Sequence, residues 1–136
     1  MKLRKYLILF LAMMPLALYA GYTQPYPVEV DTVNRIANGD MVSARFADND
    51  LEFIGCGIRQ IASGGSVISF GFCQAREGAE GSESLICNTQ DEALLDAIDA
   101  ISDYSFVTFS WNEDGECTRI GNSTQSFYIP NFKLKK

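Results

Sequence analysis

Four cysteines, Cys56, Cys73, Cys87 and Cys117, are the residues with the sharpest chemical options, at spacings of 17, 14 and 30. A tetrathiolate zinc site usually presents close Cys pairs, and no CxxC is present. An even count without close pairs reads instead as two structural disulfides, provided the chain meets an oxidising compartment. The sequence contains no histidine. That removes His-dependent triads, His general bases and His metal ligands, so any enzyme here must work with carboxylates, Tyr, Lys or Cys. No GxSxG occurs, and a serine nucleophile would lack its usual base.

Carboxylates are plentiful, with 17 Asp and Glu residues. Two facing carboxylates suffice for glycoside cleavage, but no spacing marks a particular pair as facing. Asp48, Asp50 and Glu52, or Asn112, Asp114 and Glu116, offer oxygen ligands for calcium. Neither stretch has the twelve-residue loop with a central Gly and a terminal Glu, and turn chemistry accounts for both. Glu92, Asp96, Asp99 and Asp103 recur at steps of four, three and four and predict one acidic helix face, a candidate contact for a partner protein, in particular a cationic one. Asn122-Ser123-Thr124 matches a glycosylation acceptor, relevant only in a eukaryotic secretory route. The expectation is a non-catalytic binding domain without cofactor or metal. A carboxylate-dependent hydrolase and a structural or assembly subunit are the alternatives.

The compartment follows from the start of the chain. Lys2, Arg4 and Lys5 precede an apolar run from Tyr6 to Leu18, ending at Tyr19-Ala20. Residues 1–20 therefore read as a secretory signal cut near Ala20, too short to span a bilayer. Export places the protein in a periplasm or outside the cell, with no membrane insertion after cleavage. The chain has 11 basic residues, three of them in the signal, so the mature charge is 8 − 17 = −9. Such a surface repels nucleic acid and anionic lipid.

The elements that must position these residues follow from pattern. Residues 21–41, with Pro25, Pro27 and the breaker Asn38-Gly39, predict an extended N-terminal arm, with residues 31–37 able to form a short helix. Residues 42–130 predict a disulfide-stabilised α+β domain, and 131–136 a basic tail. Gly64-Gly65 between two β-rich runs signals a type I′ hairpin, which sets Ser63 opposite Ser66 and Cys56 opposite Cys73. Both faces of that hairpin are apolar: Ile54, Cys56 and Ile58 on one, Phe53, Ile61, Ile68, Phe70 and Phe72 on the other. One face needs a cover, the arm or another chain. Thr89 and Glu92 have capping-box spacing before a helix with the stripe Leu94, Leu95, Ile98 and Ile101. A second hairpin turns at Asn112–Gly115, placing Trp111 opposite Cys117 and Val107 and Phe109 on the core face. The order β-β-β-α-β-β predicts one antiparallel sheet of about five strands with a helix across it.

Two cysteine pairings compete. If the last strand lies beside the first, Cys56–Cys117 and Cys73–Cys87 each bridge neighbouring strands. The Gly-Gly register favours Cys56–Cys73 with Cys87–Cys117. The first is preferred, because a bridge across one tight hairpin is geometrically demanding.

The succession of Glu52–Cys56, Phe70–Cys73 and Leu85–Cys87, then an Ala-rich helix, the run Asp103–Trp111 and a final Cys, is similar to a group of small exported bacterial proteins with four cysteines. The resemblance covers roughly residues 42–130. It implies a shared disulfide framework and carries no activity.

Overall fold

The computed structural model describes residues 21–130. The expected signal at 1–20 and basic tail at 131–136 lie outside the described residues. The fold is α+β, as expected, but the seven strands among the described residues form two antiparallel sheets rather than one of about five. In chain order the elements are β1 (Glu29–Asp31), β2 (Ile36–Asp40), α1 (Met41–Arg45), β3 (Phe53–Ser63), β4 (Ser66–Arg76), β5 (Leu85–Thr89), α2 (Glu92–Asp99), β6 (Phe106–Trp111) and β7 (Cys117–Ser123), with a closing 3-10 turn at Ser126–Tyr128. One sheet has the order β1-β2-β6-β7, the other β3-β4-β5.

The expected arm is the first correction. Only residues 21–28 are extended; β1 and β2 form a hairpin, and β2 pairs with β6 inside the first sheet. Asn38-Gly39 is not a breaker but part of β2. A Cβ at Gly39 would lie 2.9 Å from Val28 Cγ2, so glycine serves a close chain crossing there. The turn sits earlier, where Asp31 accepts from the Val33 and Asn34 amides and Arg35 takes φ 54°. Asp40, 1% exposed, then starts α1 by accepting from the Ser43 amide and hydroxyl and from the Tyr26 amide.

The β3–β4 hairpin has the predicted register. Ser63 faces Ser66, Cys56 faces Cys73, and Gly64 and Gly65 both have positive φ (58° and 87°) as a type I′ turn requires. Helix α2 follows β5 in the expected place, but its cap is two residues late. Asp91, not Thr89, accepts from the Leu94 amide, while the Thr89 hydroxyl accepts from the Asp91 amide and shapes the approach. The stripe seats on the β3–β4 hairpin: a Cβ at Gly71 would meet Ile98 Cδ1 at 2.5 Å and Leu95 Cδ2 at 2.9 Å, so bare backbone lets the helix sit close. The β6–β7 hairpin pairs Trp111 with Cys117 and buries Val107 and Phe109 completely.

The sheets join where β5 meets the start of β7. The Asn88 amide donates to Gly115 O at 3.0 Å, and Asn88 and Glu116 form an isolated parallel bridge. This decides the disulfides against the preferred pairing. Cys56 bonds Cys73 across the hairpin, with Cα atoms 4.0 Å apart, and Cys87 bonds Cys117 between the sheets. The preferred pairing needed β7 beside β3; β7 instead completes the β6 edge and reaches β5. Residues 125–128 pack back onto the domain through the closing 3-10 turn. Tyr128 is 8% exposed and stacks on Phe106, whose other neighbour is Tyr26 of the extended segment.

Candidate binding surfaces

The β3–β4 hairpin carries two unlike faces because side chains alternate along each strand. The inner face holds Ile54, Cys73 and Ala75, all buried, with α2 over Ile58 and Gly71. The outer face holds Phe53, Arg59, Ile61, Ile68, Phe70, Phe72 and Arg76, extended by Ile86 of β5. Ile61, Ile68 and Ile86 are each about half exposed, and the Arg59 guanidinium lies 4.9 Å from the Phe72 ring centre. The expected second apolar face is therefore present. The extended segment does not fold onto it: its hydrogen bonds go to Asp40, Ser43 and Glu52 and to Phe127 O. No carboxylate stands on this face, although the chain has 17. Beyond α2, residues 59–68 are exposed on both sides, with Val67 at 65%.

The predicted acidic helix face is only partly assembled. Glu92, Asp96 and Asp99 line a groove with Leu95 beside Ile58, Gln60 and Ser69 of the hairpin. Asp103 is not among them. α2 ends at Asp99, and the chain turns at Asp103-Tyr104, where Tyr104 takes φ 64°. Helical spacing extrapolated one turn too far; Ala100 caps the helix through bonds to Asp96 O and Ile98 O.

Asp103 instead lines a cleft of about 600 Å3 between α1, the 46–54 segment and the 103–104 turn. Met41, Val42, Ala44, Phe46, Phe53 and Ile54 supply its apolar wall; Arg45, Asn49, Asp50, Glu52, Asp103 and Tyr104 supply its polar groups. Asp103 and Tyr104 are placed by the buried Ser105, whose hydroxyl donates to Ser102 O and lies 3.0 Å from Thr124 Oγ1. Glu52 is engaged: Oε1 accepts from the Val28 amide and Oε2 from Asn49. Neither calcium candidate forms a cage. Asn49 Oδ1 accepts from the Leu51 and Glu52 amides, and Asn112 Oδ1 from those of Asp114 and Glu116. These are turn bonds, and among the described residues no group of three or more metal-ligating side chains converges. Asn122 and Ser123 close β7, and the Thr124 hydroxyl is taken up by the Ser102–Ser105 cluster.

Among the described residues, three groups titrate away from their ordinary values. The negative charge of Glu29, with which the phenol also hydrogen-bonds, pushes Tyr26 up, and burial pushes Tyr128 up, helped by Asp40. The Asn34 amide holds Asp31 down. All three belong to turns or packing rather than to the cleft. Sequence reasoning missed the cleft because α1 and the left-handed Tyr104 are set by tertiary contacts; a non-glycine residue with positive φ leaves no periodic trace.

Compared with protein-family models, with curated proteins and with solved structures, the chain matches none. Among the described residues, no helix is long and apolar enough to cross a membrane.

Proposed function

We propose that this chain is an exported, non-catalytic domain that binds another protein, with the outer face of the β3–β4–β5 sheet as its contact surface. One observation carries the reading: an apolar face bearing arginines and no carboxylate, on a chain otherwise rich in acid. Exposed isoleucines on one face of a sheet mark an interaction surface rather than scattered surface residues. Stapling by Cys56–Cys73 holds the face in one shape, so little ordering entropy is lost on binding. A partner complementary to it presents apolar side chains with carboxylates positioned for Arg59 and Arg76. Two disulfides and the expected signal at 1–20 support action outside the cytoplasm, in a periplasm or beyond.

The hydrolase alternative has one feature in its favour, the approach of Asp50 and Asp103 to one cleft. A general acid, however, needs a carboxyl held protonated by burial, and both residues are exposed.

The test is capture from an envelope extract with the oxidised mature protein, comparing Ile61→Asp/Ile68→Asp with Glu92→Gln/Asp96→Gln. Loss of a captured protein in the first variant and retention in the second supports the outer face. The reverse result moves the contact to the α2 groove and overturns the proposal.

A further inference from the structure

We propose that the cleft beneath α1 is a binding site for a small zwitterion on an apolar frame, of the class of an apolar amino acid or dipeptide. The volume, about 600 Å3, lies within the range of small-molecule sites, and the pattern of an apolar wall with a few polar groups is theirs too. The wall is Met41, Phe46, Phe53 and Ile54, and Phe46 stands 74% exposed at its rim. An aromatic ring that exposed at the mouth of an apolar cleft gains contact area only when something fills the cleft.

The charges define the ligand. Arg45, Asp50 and Asp103 all line the cleft, yet among the described residues none of them has an ion-pair or hydrogen-bond partner. Arg45 makes no ion pair within 4.0 Å with either carboxylate, so both signs of charge stand unpaired in the cleft. Arg45 is fixed by α1, which buried Asp40 caps. Asp103 is fixed by the turn whose Tyr104 adopts a left-handed backbone, a conformation that a non-glycine residue keeps only where its surroundings impose it. A molecule carrying a carboxylate at one end and an ammonium at the other satisfies both signs at once; a singly charged molecule leaves one unmatched. Glu52 is not counted, because both its oxygens already accept.

The probe is the dipeptide phenylalanyl-leucine, titrated into the oxidised mature protein and followed by calorimetry and by amide chemical shifts. Its N-acetylated form lacks the ammonium, and its C-terminal amide lacks the carboxylate. The expected result is binding of the free dipeptide, with each blocked form weaker by about tenfold, and shifts at residues 41–54 and 103–104. Arg45→Gln removes the distinction between free acid and amide; Asp50→Asn/Asp103→Asn removes the distinction between free and acetylated amine. All three positions are exposed, and an unchanged melting temperature verifies that each variant is folded. Equal affinity for the free and blocked forms, no binding up to the solubility limit, or indifference to both variants overturns the proposal.

Discussion

At the scale of single residues, polar groups with tertiary partners organise this protein. Asp40 caps a five-residue helix, and Tyr128 closes the aromatic run from Tyr26 through Phe106. Both tyrosines are harder to ionise in the fold than in the unfolded chain. A tyrosine whose folded pKa is raised contributes stability that is fully present below its unfolded value, about 10, and is lost as pH rises through the folded value. The stability of the protein should therefore fall on the alkaline side above about pH 10. Tyr128→Phe should flatten that limb, and Glu29→Gln should move the Tyr26 transition back toward ordinary pH. Urea unfolding across pH, with ultraviolet titration of the phenolates, measures both. An alkaline limb unchanged in Tyr128→Phe would remove Tyr128 from the account.

At the scale of elements, the two disulfides do different work. Cys56–Cys73 closes a 17-residue separation within strands already paired by a favourable turn, whereas Cys87–Cys117 closes 30 and ties one sheet to the other. Chain entropy alone ranks them at about 3 and about 3.5 kcal/mol. The intersheet bridge should cost more than that difference suggests, because its removal also loosens the contact between β5 and β7. Cys87→Ala/Cys117→Ala should lower unfolding free energy by about 4 kcal/mol and Cys56→Ala/Cys73→Ala by about 3, as read from urea midpoints. Equal losses would mean that the sheets hold together without the bridge. Hairpin registers were legible because Gly64-Gly65 and Gly115 mark turns whose residue counts fix what lies opposite what. β1 and β2 were not, since β2 contains an Asn-Gly pair that reads as a stop and is present for packing against Val28.

At the scale of the whole molecule, charge is unevenly spread. The chain carries 11 − 17 = −6, yet among the described residues the one ion pair is Arg35–Glu113, and the outer sheet face holds no acid. Repulsion among acids elsewhere is thus largely uncompensated by direct pairing. Raising sodium chloride from low to moderate concentration should raise the melting temperature by screening that repulsion. A fall with salt would show that favourable charge arrangements dominate instead. Salt should also weaken any partner held through Arg59 and Arg76 while leaving the apolar part of the contact in place.

Local pattern by itself determined the α+β class, the two hairpin registers, the place of α2 and the apolar character of both faces of β3–β4. Each rests on spacing within some twenty residues, where turn geometry and side-chain alternation act directly. It also determined that His-based chemistry is absent. Only the tertiary structure decided that there are two sheets, that β7 reaches β5, and hence that Cys117 pairs with Cys87. The same holds for Asp103, which left the helix face for the cleft once α2 stopped at Asp99. Those outcomes depend on which surfaces pack together across the whole chain, a competition among long-range contacts that spacing along the chain does not encode.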